Sequence, residues 1–354
     1  MIEKHYNGVI EQVVSGIGNV EHNSILVRYS NDFSIWDLES VNHYKEQPDI
    51  FFTCHEFSYN RVAEAYEPYL ALIRQMFHKY GSGTLEEFME ECDVYKLQRP
   101  VFESYFETGF CQRTEQILID EVEYEQERMN NSIVTMIRKL SEICPIVIVL
   151  NRFQLASKST MQLTNQLLHT KNKNIGIVLG VNDVQSIPEF VHEEWDAICE
   201  SMDDRNMVFH IGNANKKKES DVLVYYSDYE SEEGYRKLNN LVYFLDFDQA
   251  DHHLSKIERR IKFDNFTIPK KKYYQLLLLQ IMVSILQRDI AKALESCEDL
   301  EKLQDQEKEG SFYYNFWVAT SYMYLGKLEE AMTFAKKAGE CGVALDDDFL
   351  MFRA

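Results

Sequence analysis

The sequence predicts an α/β domain with a mostly parallel sheet, followed by an all-helical segment. Three observations carry that prediction. Pro145–Leu150 and Asn174–Gly180 are short apolar, β-branched runs of the kind that lie buried in parallel sheets. Ser157–Leu168, between them, has helical spacing, so the order is strand, helix, strand with short connections. From Lys270 onward only helical periodicity remains, and Ala293 and Ala331 occupy matching places 38 residues apart.

Taken in order, Ile2, Tyr6, Val9, Ile10, Val13, Val14 and Ile17 form one helical face, ended by Gly16 and Gly18. Ser24–Tyr29 is rich in β-branched and aromatic residues and predicts a strand. After a turn at Ser30–Phe33, the spacing of Ser34 and Asp37 suggests an N-cap, with a helix running to Tyr44. Asp49–Cys54 is a second strand candidate, beyond the break at Pro48. A helix over about 66–80 stops at Gly81–Gly83, and Thr84 starts another.

Gln112–Ile143 is a long amphipathic stretch with Ile117, Val122, Tyr124, Met129, Ile133, Met136, Ile137 and Leu140 at helical spacing. Its acids, Glu115, Asp120, Glu121, Glu123, Glu125 and Glu127, form a solvated face. Further on, Trp195–Met202 is helical, and Met207–Ile211 and Val222–Tyr226 are short strand candidates. Pro269 marks the start of the helical end. The expected division is therefore an α/β domain over 1–183, a mixed α/β extension over 184–265 and helical repeats over 266–354. Phe349, Leu350 and Phe352 resemble the first turn of a further helix, so the repeats are expected to be cut short.

Across 354 residues, 37 Lys and Arg stand against 58 Asp and Glu, a net charge of −21. That balance argues against general binding of nucleic acid or anionic membranes. The Lys216–Lys218 run, with Tyr225, Tyr226 and Tyr229 nearby, sits among Glu219, Asp221, Asp228 and Glu230 and makes a poor nucleic-acid patch. The seven cysteines are scattered and form no C-x-x-C pair, a pattern expected of reduced thiols in the cytoplasm. No apolar run approaches the roughly 18 residues of a membrane span.

The element order resembles the nucleotide-binding domain of STAND-type signalling ATPases, a branch of the P-loop AAA-like group. There a helix precedes the first strand, a phosphate loop follows it, and a second strand comes next. Met1–Ile17, Ser24–Tyr29, Ser30–Phe33 and Asp49–Cys54 take those places here. In that family an apolar strand after a proline ends in two acids, then comes a Gln-x-Ala turn and a helix. Pro145–Arg152, Gln154–Ala156 and Ser159–Leu168 match that run, and Ile175–Asn182 resembles the sensor strand. The helical end has the spacing of tetratricopeptide repeats: Tyr322, Gly326, Leu328, Ala331, Ala335 and Ala338, matched loosely by Ser284, Arg288, Ile290, Ala293, Cys297 and Leu300. The combination also resembles the N-terminal half of bacterial regulators that end in a diguanylate cyclase (GGDEF) domain; the aromatic-rich Phe51–Tyr69 and His192–Trp195 segments are similar. No GGDEF run occurs in this chain.

The departures from the family define the expected function. A working phosphate loop needs glycines that turn backbone N–H groups toward phosphate, a Lys to neutralise it and a Ser or Thr for Mg²⁺. Arg28–Asp37 has no Gly and no Lys, Asp32 adds repulsion, and only Ser34 matches the Mg²⁺ ligand. Gly16 and Gly18 lie before the strand and read as a turn. Asn151 and Arg152 replace the acids that hold Mg²⁺ and activate water. The resemblance therefore implies a pseudo-ATPase with no catalytic residue and no cofactor. It would act as a scaffold for a protein partner, as a possible oligomer, or as control for an output domain in the same polypeptide. If nucleotide binding survives through an atypical loop, the resemblance places Ser30, Asn31, Ser34 and Asn151 around it. Tyr314, Trp317 and Tyr322 are the aromatics that could meet a partner on the helical repeats, although most aromatics there should be core.

Other clusters have simpler explanations. His252 and His253, after Asp246, Asp248 and Asp251, resemble metal ligands but point apart on a helix, and a polar helix start accounts for them. Cys54 and His55 are strand neighbours facing opposite sides, so they cannot act as nucleophile and base; Cys54 is expected to be a buried strand thiol.

Overall fold

A computed structural model of the chain describes residues 2–18, 23–30, 34–58, 61–111, 122–170, 172–183, 187–203, 207–211, 232–263 and 267–347. They fall into two compact units, one within Met1–Glu115 and Tyr124–Asp228, the other within Gln116–Glu123 and Tyr229–Ala354.

The first unit is built on five parallel strands: β1 (Ser24–Tyr29), β2 (Phe51–Glu56), β3 (Ile146–Asn151), β4 (Ile175–Asn182) and β5 (Val208–Ile211). They lie side by side in the order β2-β3-β4-β1-β5. In register, Leu26 of β1 sits opposite Leu179 on one side and Val208 on the other. The apolar runs recognised at 24–29, 49–54, 145–150, 174–180 and 207–211 are strands, shifted by one or two residues toward the C-terminus at β2, β3 and β4. Every residue of β3 and β4 is buried, as continuous β-branched runs require in a sheet covered on both faces. β2 pairs only with β3 and forms an edge. Cys54 is half-buried there rather than buried as expected, because an edge strand has a neighbour on one side only.

Helix α1 (Ile2–Ser15) packs on β4, β1 and β3 through Tyr6, Ile10 and Val13, all fully buried. Two glycines of β4 allow its approach. A β-carbon at Gly176 would press into Val13, and one at Gly180 would collide with the Tyr6 hydroxyl and the Asn151 side chain. The expected helix from Ser34 to Tyr44 is instead a 3-10 turn, Ile35–Asp37, followed by α2 (Glu39–Lys45). Leu38 between them is extended and breaks the run. Ser34 does cap the turn, accepting from the Trp36 N–H at 3.4 Å.

The remaining helices of this unit are α3 (Tyr69–Tyr80), α4 (Leu85–Glu91), α5 (Arg99–Thr108), α6 (Val122–Ile143), α7 (Lys158–His169) and α8 (His192–Asp203). Thr84 and Glu87 close a capping box on α4. On α6, Met129, Ile133, Met136, Ile137 and Leu140 are fully buried, as their spacing predicted. Its acidic side departs from expectation at Glu125, which is 2% exposed. Gln98 donates to its carboxylate at 2.9 Å and Arg128 at 3.2 Å. A carboxylate can be buried at that point because neighbouring donors replace its water. The other acids from 112 to 121 lie outside the described residues.

The second unit is helical: α9 (Glu232–Tyr243), α10 (Phe247–Phe263), α11 (Lys270–Leu286), α12 (Ile290–Glu301), α13 (Gly310–Tyr324) and α14 (Leu328–Leu345). The span 184–265, expected as a mixed extension, supplies α8 and β5 to the first unit and α9 and α10 to the second. The strand candidate 222–226 and the Lys216–Lys218 run lie outside the described residues.

The helical end forms two hairpins, α11–α12 and α13–α14, with the same turn. Gln287, Arg288 and Asp289 N–H groups donate back to Val283, Ile285 and Ser284 carbonyls. Thirty-eight residues on, Leu325, Gly326 and Lys327 donate to Ser321, Met323 and Tyr322 in the same pattern. The central residue is left-handed in both, at φ 65° for Arg288 and 73° for Gly326. Ala293 and Ala331 follow the two turns, each donating to the carbonyl of the residue that ends its turn. Ile281, Ala293, Leu300, Phe312 and Ala338, all fully buried, form the shared core. Each large side chain there contributes roughly 1.5–3 kcal/mol through burial.

Candidate functional site

The strand order locates the crevice. β1 and β4 are neighbours. The chain leaving β1 runs to β2 at one edge of the sheet, while the chain leaving β4 runs to β5 at the other. Open parallel sheets bind ligands beyond the carboxyl ends of strands where connections diverge in this way. Here those ends present Tyr29 and Ser30 from β1, Asn151 and Arg152 from β3, Asn182 and Asp183 from β4, and Glu56 from β2.

Ion pairs and hydrogen bonds made within the chain fill this edge. Glu56, at the end of the outermost strand β2, gathers several of them. One carboxylate oxygen accepts from the Ile35 N–H at 3.0 Å and the Ser34 hydroxyl at 3.3 Å. The other is 3.3 Å from the Arg152 guanidinium. Arg152 reaches it from a left-handed backbone conformation, φ 54°, that ends β3 and opens a 3-10 turn over Phe153–Leu155. Arg28 pairs with Asp183 at 3.1 Å, donates to the Cys199 sulfur at 3.2 Å and lies over the Trp195 ring. Burial pushes the Cys199 thiol up to about 11, against the opposing pull of Arg28. Lys158, at the start of α7, is 3.6 Å from Glu194 of α8.

Below the charged layer, Asn151 is fully buried. Tyr29 donates its hydroxyl to the Asn151 side-chain oxygen at 2.7 Å, while the Asn151 Nδ2 has no hydrogen-bond partner among the described residues. Tyr6 lies close by across Gly180, and burial, then Tyr29 and Glu56, hold its phenol well above the ordinary range. Gln154, after β3, accepts from the Asn182 N–H at 3.4 Å.

Of the residues placed here from sequence, Ser34 and Asn151 lie in this edge, Ser30 directly follows β1, and Asn31 is outside the described residues, as is Asp32. Sequence reading missed Glu56, Arg28 and Asp183. Glu56 and Arg152 meet only because β2 pairs with β3 in register, Glu56 opposite Asn151. A charged residue at the carboxyl end of each of two strands was the available signal.

The other sequence candidates lie elsewhere. Trp317 is buried in the hairpin core against Phe316 and presents little surface. Tyr314 and Tyr322 are half-buried and pack on Phe334 of α14. His252 and His253 lie inside α10 rather than at its start. His253 is fully buried and bonds to Gln249 at 2.8 Å. Burial lowers His252 to about 4 and His253 well below its usual value, so both are neutral at pH 7. Among the described residues no group of His, Cys, Asp and Glu has the geometry of a metal site, and no helix is long and apolar enough to cross a membrane. Burial raises the Cys54 thiol, which disfavours the nucleophilic thiolate. A small cavity between α10, α11 and α12 has an apolar floor of Leu254, Ile257, Leu276 and Leu277, with Glu295 and Asp299 at its rim.

No protein-family model matches the chain, and no curated protein or solved structure matches it.

Proposed function

We propose that the protein is a non-catalytic regulatory scaffold. In this reading an α/β unit of pseudo-ATPase type is joined to tetratricopeptide-like helices, and the protein binds a protein partner or controls an output domain. The observation that carries it is Glu56. Its carboxylate takes the Ile35 N–H, the Ser34 hydroxyl and the Arg152 guanidinium, the donors at the sheet edge suited to an incoming anion. A phosphate arriving there would meet a resident negative charge, and Arg152 would repel Mg²⁺. The parallel sheet is compatible with a P-loop-like fold, and the missing glycines and Lys agree with loss of hydrolysis. The two matching hairpins support the repeat assignment.

Calorimetric titration of the full chain with ATP and ADP, with and without Mg²⁺, tests the reading. The expected result is no heat beyond dilution. Binding that is lost on Ser34→Ala or Asn151→Ala would replace it with a nucleotide-binding switch of STAND type using an atypical phosphate loop. The unpartnered Asn151 amide is the feature that favours this second reading.

A further inference from the structure

The donors around Glu56 come from two separate places in the chain and meet on one carboxylate. The Ile35 N–H donates to Oε2 at 3.0 Å, and the Ser34 hydroxyl donates to the same oxygen at 3.3 Å. Ser34 accepts from the Trp36 N–H at 3.4 Å, so its own proton is turned toward Glu56. Arg152 approaches the other oxygen, Oε1, at 3.3 Å. A backbone N–H, a hydroxyl and a guanidinium are the donors of which oxyanion sites are made. The observation that points to an anion here is the anion already in place.

That carboxylate is fixed by the sheet. Its side chain is 12% exposed. Glu56 stands opposite Asn151 in the β2–β3 register, and the next N–H, of Phe57, donates to the Asn151 carbonyl at 3.1 Å. The backbone that carries the carboxylate is therefore locked to the strand that delivers Arg152. The donors are set independently of it. Ser34 and Ile35 belong to their own 3-10 turn, and Arg152 to the turn that ends β3. The donor set should thus outlast removal of the Glu56 side chain. Ser34 is half-buried and the Arg152 side chain is 22% exposed, so the site has a side open to water.

We infer that Glu56 is the internal occupant of a phosphate site formed by the Ile35 N–H, Ser34 and Arg152, and that this one carboxylate keeps phosphate out. The inference rests on the reading of this edge as a closed nucleotide cleft. An anion is the class the donors select, since all three offer a hydrogen and Arg152 adds a full positive charge. Phosphate suits the vacated space better than a second carboxylate. It can take the three donors on two of its oxygens and turn the others toward the open side.

The test uses the full chain and inorganic phosphate, read as the melting midpoint at matched ionic strength. Phosphate stabilises folded proteins in general through exclusion from their surface, so the wild type supplies the baseline. In Glu56→Ala, phosphate should raise the midpoint saturably, by about 2 °C or more beyond the wild-type response. Adding Arg152→Gln to that variant should remove the excess, and Glu56→Gln, whose amide still fills the space, should show none. If Glu56→Ala is unfolded in chloride buffer, phosphate should restore its circular dichroism. No excess in a folded Glu56→Ala, no restoration of an unfolded one, an equal excess in Glu56→Gln, or a response to acetate without one to phosphate would each overturn the inference. None of these results touches the pseudo-ATPase reading, which is decided by ATP and ADP on the wild type.

Discussion

The hairpins α11–α12 and α13–α14 share one plan and end in different conditions. Their turns have the same hydrogen bonds, and their alanines stand at the same step. Yet Ile285 of α11 is 2% exposed and its counterpart Met323 of α13 is 49% exposed. The repeat pattern sets each hairpin's internal contacts, while neighbours decide which outer faces are covered. Sequence similarity between two repeats therefore does not imply similar tolerance to substitution.

Paired substitutions break this comparison most forcefully. Ile285→Glu places an unpaired charge in a closed site and should cost roughly 3–5 kcal/mol. Met323→Glu at the equivalent place should stay within about 0.5 kcal/mol. Urea unfolding monitored by circular dichroism reads both, and equal losses would show the hairpins to be alike after all. A smaller effect concerns α10, which packs against α11. His252 and His253 have folded pKa values below their unfolded value. Their contribution is thus complete above the unfolded pKa, about 6.5. It is lost as pH falls through the window toward 4, because only the unfolded chain accepts the protons readily. For His252 alone a shift of that size corresponds to roughly 3 kcal/mol as an upper figure. Melting temperatures across that range should fall, and a His252→Asn, His253→Gln double variant should flatten the curve. The smallest effect sharpens the comparison at the turns. Gly326→Ala forces a side chain into φ 73° and should cost about 1 kcal/mol, measurable as a shift in urea midpoint. Arg288 already carries a side chain in that conformation at φ 65°.

Much of the architecture was legible because periodicity reports burial. The runs at Ser24, Pro145 and Asn174 announced β1, β3 and β4, and the Ala293–Ala331 step announced the hairpins. Helix α9 was not announced and α10 only as a polar helix start at His252, since polar residues such as Lys237, Asn239, Asn240 and His253 are buried in them and blur the apolar pattern. The candidate site was half legible. Asn151 and Ser34 could be placed by element order. The Glu56–Arg152 pair could not, because it depends on which strands lie side by side. Glu125 looked solvated for a related reason: Gln98, its partner, is 27 residues away in sequence.

The interior position of β1 has a consequence for synthesis. Of the five strands of this sheet β1 leaves the ribosome first, but its partners are β4 and β5; Ser24 pairs with Ile177 and Tyr29 with Ile211. At roughly 5–20 residues per second, about 7–30 s pass between translation of β1 and translation of β4. Until then both edges of β1 are open, and long-range parallel pairing is slow to form in any case. The interval between β1 and β4 is thus the one in which this chain most depends on chaperones that shield an unpaired apolar strand.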